Sequence, residues 1–96
     1  MVRATKYLKG KFGDLSFGQL IWAHRKSEEM TQAQLSEMLG VSKQYISQLE
    51  KGERLASVEQ AVRLAEVFKM SPEIFVVRSL QDQVTKAGIS LIIKSA

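Results

Sequence analysis

The chain has no cysteine, one proline and one histidine among its 96 residues. Without cysteine it cannot form a disulfide framework, a thiolate zinc site, an iron–sulfur cluster or a cysteine nucleophile, so the fold must rest on packing alone. No stretch approaches the roughly 18 consecutive apolar residues of a membrane span, and the N-terminus has no apolar signal core. We therefore expect a cytoplasmic protein that is neither secreted nor inserted in a membrane.

Residue types that carry catalysis are scarce. His24, as a single histidine, cannot by itself form a histidine metal cluster or a catalytic triad, and a half-buried packing role is the expected one. The sequence contains neither the H-E-x-x-H motif of zinc proteases nor the G-x-x-x-x-G-K-[ST] motif of phosphate-binding loops. We therefore expect no enzyme, no metal and no cofactor.

Positive charge is concentrated at one end of the chain. The net charge is +4, from 14 lysines and arginines against 10 aspartates and glutamates. Residues 1–13 contain no acidic residue and four basic ones, which are Arg3, Lys6, Lys9 and Lys11. A basic arm over residues 1–13 suits an anionic partner such as nucleic acid. The alternative is a solvated terminus without a function.

Five short helices with tight connections are predicted, which makes the fold all-α. We expect the first helix to run to about Ser27, the second to end at Gly40 and the third near Gly52, because glycine adopts the left-handed backbone that closes a helix. The domain should extend over residues 14–80. Each helix follows a residue that favours the N-cap position, and these are Ser16, Thr31, Ser42, Ser57 and Ser71.

Residues 81–96 have a different pattern and are predicted to form a tail. Ile89, Leu91 and Ile93 alternate with their neighbours, which fits a short strand beginning near Gly88 at least as well as a helix. One interpretation is a segment that folds back on the domain. The other is a contact surface for a second copy of the chain or for another protein.

The second and third helices are joined by a three-residue turn, which is typical of a helix-turn-helix. At 100° per residue, Ile46 and Leu49 share one face of the third helix. Glu50 lies at the edge of that face, where we expect it to bond neighbouring groups rather than approach a phosphate. The opposite face carries side chains that can hydrogen-bond the edges of DNA bases, namely Lys43, Gln44, Ser47 and Gln48.

Residues 31–42, TQAQLSEMLGVS, and 45–52, YISQLEKG, resemble the signature of the lambda-repressor-like helix-turn-helix proteins, also called the Cro or XRE type. The resemblance covers roughly residues 16–77. Further matches lie on both sides of the signature, at Phe17-Gly18, Ile21, Arg25, Leu64-Ala65, Ser71-Pro72 and Phe75. The resemblance implies a compact five-helix domain that binds double-stranded DNA.

The resemblance also implies a role for individual residues. The third helix would be the recognition helix, and its residues facing base edges would be Lys43, Gln44, Ser47 and Gln48. Gln32 would bond a phosphate and brace this helix. Contacts with the DNA backbone are implied for Arg25, Thr31, Gln32, Ser42, Tyr45, Lys51 and Arg54.

Three residues depart from the family pattern. Ser36 stands where the family usually has alanine at the contact between the two motif helices, and it is small enough to fit. His24 occupies a position that is more often leucine. Trp22 lies where a polar residue is more common, so we expect it to be exposed, either as a dimer or partner contact or packed against the arm or tail.

The function expected from these features is sequence-specific transcriptional regulation, most simply repression, by a homodimer on a palindromic operator. One recognition helix covers only a few base pairs, and two half-sites about 34 Å apart supply the remaining specificity. The alternative is an antitoxin that represses its own operon and also binds a toxin, an interpretation that the small size and the tail motivate. A protein-interaction module without DNA binding is a third class.

Overall fold

The computed structural model describes residues 15–89 and 92–93, and within them the secondary structure consists of five α-helices without a strand. The all-α prediction is confirmed. The arm over residues 1–13 and part of the predicted tail strand, residues 90 and 91, lie outside the described residues, and Ile89, Ile92 and Ile93 are not in a strand. The helices are α1 (Phe17–Ser27), α2 (Gln32–Leu39), α3 (Lys43–Lys51), α4 (Val58–Val67) and α5 (Pro72–Lys86).

Four of the five helices begin at a side-chain cap, as predicted. Ser16 forms a capping box, because its hydroxyl accepts from the Gln19 amide at 3.2 Å while its own amide donates to Gln19 Oε1 at 2.9 Å. Thr31 and Gln34 repeat this arrangement at α2. The hydroxyls of Ser42 and Ser57 cap α3 and α4. Ser71 occupies the N-cap of α5 without a side-chain bond, and α5 begins with a proline at its first position.

The last helix is longer than the sequence pattern predicted. The predicted tail boundary at residue 81 falls inside α5, which continues to Lys86 because no glycine or proline interrupts it before Gly88. Its second half is held by Ser79 Oγ and Gln83 Nε2, which donate to the Ala56 carbonyl at 2.8 and 3.0 Å. Even so, none of the helices in the described part of the chain is long and apolar enough to cross a membrane.

An aromatic cluster joins α1 to α4 and α5 at the centre of the core. The Phe75 ring centre lies 6.2 Å from that of Phe17 and 6.1 Å from that of Phe68. The His24 imidazole stacks on Phe68 at 5.4 Å and lies 5.5 Å from Phe75. Ile74 and Val76 of α5 are partly buried against this core. Buried aliphatic side chains of the other helices complete it, including Leu20, Ile21, Leu35, Leu39, Ile46, Leu49 and Leu64.

Helix α1 crosses α3 at close range, and Gly18 makes that approach possible. A Cβ atom at this position would lie well inside contact distance of the Leu49 and Glu50 carbonyl oxygens. The start of α1 is held in addition by the Phe17 amide, which donates to Asp82 Oδ2 of α5 at 2.8 Å. Helix α3 is thus fixed by backbone packing as well as by side chains.

Burial of His24 predicts a pH-dependent stability. Burial lowers the pKa of this imidazole from its ordinary value of 6.5, and the Glu28 carboxylate offsets only part of the effect. The unfolded chain therefore binds more protons than the folded chain below about pH 6.5, and stability falls as the pH falls. We expect the free energy of unfolding to fall between pH 7.5 and 5.5 by no more than about 1.4 kcal/mol per pH unit, and the urea midpoint to fall with it.

The matched variant for this prediction is His24→Phe, which keeps the aromatic stacking and removes the titration. Its urea midpoint should fall less over the same pH range than that of the wild-type chain. Equal pH dependence in the two proteins would show that His24 is not the titrating group.

Candidate nucleic-acid interface

The turn between α2 and α3 follows directly from its sequence. Gly40 adopts the left-handed conformation with φ of 71°, and the Val41 amide then donates to the Ser36 carbonyl at 3.0 Å. The hydroxyl of Ser42 accepts from the Tyr45 amide at 3.0 Å and starts α3. Ser36 is buried, and its Oγ donates to the Ala33 carbonyl at 2.7 Å, so serine fits at the contact between the two helices.

Helix α3 has an apolar face in the core and a polar face toward solvent. Ile46 and Leu49 are almost fully buried, with exposed fractions of 0% and 1%. On the other side the structure brings together the four residues predicted to read bases. Lys43 and Gln44 are exposed, whereas Ser47 and Gln48 are partly buried.

A buried ion pair fixes the end of α3 to the helices before it. Glu50 accepts from Arg25 Nε at 2.7 Å and from Arg25 Nη2 at 3.0 Å, and the two side chains are only 6% and 9% exposed. Gln32 Nε2 donates to the same carboxylate at 3.1 Å. The expectation that Glu50 bonds neighbouring groups is confirmed. This cluster connects the C-terminus of α1 and the N-terminus of α2 to the last turn of α3.

Arg25 is placed differently from the other residues for which backbone contacts were predicted. Its guanidinium is directed into the protein, with Nη1 donating to the Met30 carbonyl at 2.9 Å in addition to the bonds with Glu50. The side chain is therefore a structural support in this chain. The phosphate contacts predicted for Arg25 and Gln32 stay predictions, while the bracing contact of Gln32 is observed.

An open groove lies where the C-terminus of α1 meets the N-termini of α2 and α3. Lys26 and Lys43 line it together with Thr31, Gln32 and the acidic Glu29. Lys26 was not singled out from the sequence, although a lysine on the polar side of α1 near its last turn was a usable signal. Its Nζ lies 5.8 Å from the centre of the Trp22 ring, and Trp22 is 41% exposed, as expected.

The helix termini give this side of the molecule a positive character. The N-terminus of a helix carries a partial positive charge, which an acidic residue in the first turn neutralises. Helices α1, α2 and α3 have no acidic residue there, whereas α4 has Glu59 and α5 has Glu73. At α1 the Phe17 amide is already bonded to the Asp82 carboxylate. The two motif helices are thus the ones whose N-termini remain available to an anion such as phosphate.

A second polar cluster lies at the C-terminal end of α3. Arg54 Nε donates to Gln48 Oε1 at 3.0 Å, and the guanidinium carbon lies 5.3 Å from the centre of the Tyr45 ring. Burial raises the pKa of the Tyr45 hydroxyl above its ordinary value, and the charge of Arg54 offsets only part of the shift. The hydroxyl is therefore protonated at neutral pH and can donate a hydrogen bond. Lys51, one turn from Gln48, is exposed.

Comparison with known proteins agrees with this geometry. The chain matches the helix-turn-helix family over residues 23–75, more than half of its length. Uncharacterized HTH-type transcriptional regulators from two strains of Mycobacterium tuberculosis, CDC 1551 and H37Rv, are each 34% identical to it over 62 residues. The matched segment is 65% of this chain and 44% of each relative, so the chain spans less than half the length of these curated relatives.

No solved structure matches this chain significantly. The assignment therefore rests on the matched family and on the structure itself. The family match covers α2, the glycine turn and α3, which are the elements that build the polar surface described above. The chain belongs to the helix-turn-helix family of the Cro/C1 type.

Proposed function

We propose that this protein is a sequence-specific DNA-binding transcription regulator that inserts α3 into the major groove. The observation that carries the proposal is the division of α3, whose apolar face is locked in the core while its other face presents amine, amide and hydroxyl groups. A major groove admits an α-helix, and these groups match the donors and acceptors on base edges. The names of the two mycobacterial relatives, which describe transcriptional regulators, support the same function.

Lys43 and Gln44 carry the clearest chemistry for reading bases. Neither side chain makes a hydrogen bond to another described residue, so both are available to a ligand. The carboxamide of Gln44 can donate to adenine N7 and accept from N6, and the Lys43 ammonium can donate to guanine O6 and N7. Ser47 and Gln48 extend the same surface toward the C-terminal end of α3.

Phosphate contacts would position α3 in the groove from both of its ends. At the N-terminal end we assign them to Lys26, Thr31 and Gln32 around the open groove, and to Ser42 at the N-terminus of α3. At the other end we assign them to Tyr45, Lys51 and Arg54. Arg25 serves this surface indirectly, because it holds Glu50 and thereby the orientation of Gln32.

Substitutions on the two kinds of contact should have different effects. Gln44→Ala is expected to cost about 1–3 kcal/mol of binding to the preferred duplex and to relax the preference at one base pair. Lys51→Ala, which removes a phosphate contact from the same helix, should weaken binding to all duplexes alike and reduce the salt slope by about 1. Fluorescence anisotropy titrations on preferred and scrambled duplexes measure both effects. A Gln44→Ala variant with unchanged base preference would contradict this assignment.

The regulator is proposed to act as a homodimer that represses transcription from a palindromic operator. A single recognition helix contacts too few base pairs to define a site, and a second copy doubles the contact. The described part of the C-terminus exposes large apolar side chains, with Ile89 55% and Ile92 74% accessible. Such side chains favour a contact between proteins. The antitoxin alternative, with a toxin as a further partner, stays a prediction.

Dimerisation through the C-terminal segment can be measured by sedimentation equilibrium. We expect the wild-type chain to sediment as a dimer and Ile92→Ser to shift the equilibrium toward the monomer by about tenfold or more, since a buried apolar side chain contributes about 1.5–3 kcal/mol. Met38→Ser is the matched control, because Met38 is 56% exposed on α2. A monomeric wild-type chain, or equal dissociation in the two variants, would contradict the proposed interface.

The proposed function is tested by selecting duplexes from a random library with the full chain and measuring their affinity at low and near-physiological salt. A common selected sequence, bound more tightly than its scrambled version at both salt concentrations, is the expected result. Weak and equal binding that added salt abolishes would leave only attraction to phosphates and would overturn sequence-specific regulation.

A further inference from the structure

Arg54 lies outside α3, in the loop after Gly52, yet its side chain contacts two residues of that helix. Its Nε donates to Gln48 Oε1 at 3.0 Å, and its guanidinium lies over the Tyr45 ring. Positions 45 and 48 are three residues apart and therefore lie side by side along one strip of the helix. Arg54 is thus held along the C-terminal half of the surface that we propose to face DNA.

The contact with Arg54 distinguishes the two glutamines of α3. A guanidinium has only donors, so Arg54 must face the carboxamide oxygen of Gln48 and not its nitrogen. The orientation of the Gln48 amide is thereby fixed, with the oxygen engaged and the two N–H groups of Nε2 left to donate. Gln44 makes no such bond within the described residues, so its oxygen and its nitrogen are both available.

We propose that Arg54 is a positioning residue that sets the base preference of Gln48. With its oxygen held by Arg54, Gln48 meets DNA through its N–H groups and selects a base edge that presents acceptors, as guanine does with O6 and N7 and thymine with O4. Gln44 keeps the paired donor and acceptor that adenine requires. This inference rests on the proposed function and specifies how one part of the same surface discriminates.

A hydrogen bond at an exposed site is weak when both side chains are mobile, because water competes for it. Here the aromatic ring of Tyr45 restricts the guanidinium, since a cation over an aromatic face is attracted to it. Of the three guanidinium nitrogens, Nε is the one nearest the backbone. It remains directed at Gln48 when the two outer nitrogens contact a phosphate. A phosphate contact by Arg54 is therefore compatible with the positioning role.

The experiment compares Arg54→Ala, Gln48→Ala and the double variant. For each protein, duplexes are selected from a random library, and the affinity is then measured for the selected duplex with each base pair changed in turn. We expect Arg54→Ala to reduce discrimination about tenfold at the same base pair that Gln48→Ala affects. The double variant should lose no more discrimination there than Gln48→Ala alone, because the two residues act as a unit. Arg54→Lys, which keeps the charge but lacks the Nε donor, should retain most affinity and lose part of the discrimination. Lys51→Ala is the control that should leave base preference unchanged.

Arg54 and Lys51 are exposed, and thermal melting of each variant verifies that the fold is retained. The inference is overturned if Arg54→Ala weakens all duplexes equally, if it acts at a different base pair, or if its effect adds to that of Gln48→Ala. Each of these results would leave the proposed function standing, since the wild-type chain would still select a sequence. A wild-type chain that selects no sequence would overturn the proposed function and this inference together.

Discussion

Glu50→Ala is expected to lower the free energy of unfolding by about 3–5 kcal/mol, a large part of the stability of a domain this size. The substitution leaves the Arg25 guanidinium buried without its counter-ion and removes the acceptor of Gln32 as well. An uncompensated buried charge costs more than the ion pair contributes, because desolvation is no longer offset. Urea unfolding followed by circular dichroism measures the loss.

Two variants show whether the effect comes from the buried charge. Glu53→Ala removes a carboxylate three residues away that is exposed, and it should change stability by less than about 0.5 kcal/mol. The double variant Arg25→Met, Glu50→Leu replaces the pair with apolar side chains of similar size, so it should recover much of the stability lost in Glu50→Ala. A Glu50→Ala variant as stable as Glu53→Ala would show that the ion pair does not brace α3.

Gly18→Ala is expected to destabilise the protein by about 3 kcal/mol, although alanine is the better helix former. The new Cβ would collide with the backbone carbonyl oxygens of Leu49 and Glu50, which cannot rotate away as a flexible side chain can. Helices α1 and α3 must then separate, which opens the core around Ile46 and weakens DNA binding as well. Urea unfolding and anisotropy on the same preparation measure both effects.

The control for this prediction is Lys26→Ala, an exposed position on the same helix, which should alter stability by less than about 0.5 kcal/mol. If Gly18→Ala were as stable as the wild-type chain, the close crossing of α1 over α3 would be wrong. The position of α3 would then need another explanation.

The helix starts and the glycine turn could be predicted because their causes are local. A serine or threonine followed three residues later by glutamine favours a capping box, and the structure contains it at Ser16 and Thr31, whereas at Ser57 only the serine hydroxyl caps the helix. Gly40 ends α2 for an equally local reason, since it adopts a left-handed conformation. The two faces of α3 followed in the same way from helical periodicity.

Features that depend on distant residues were harder to derive. Nothing in the local pattern distinguishes a buried arginine from an exposed one, and the burial of Arg25 becomes clear only when α3 brings Glu50 to it, 25 residues away. The end of α5 was placed too early because its second half is held by the Ala56 carbonyl, a contact across 23 residues. The hydrogen bond between Arg54 and Gln48 likewise depends on the path of the loop after α3, which brings Arg54 back alongside that helix.

NMR titration of the full chain with its selected duplex tests most directly whether the polar face of α3 contacts the bases. We expect the largest shifts in the backbone amides of residues 42–48 and in the side-chain amides of Gln44 and Gln48, with little change in α4. Largest shifts in α4 or α5, with residues 42–48 unchanged, would contradict this prediction.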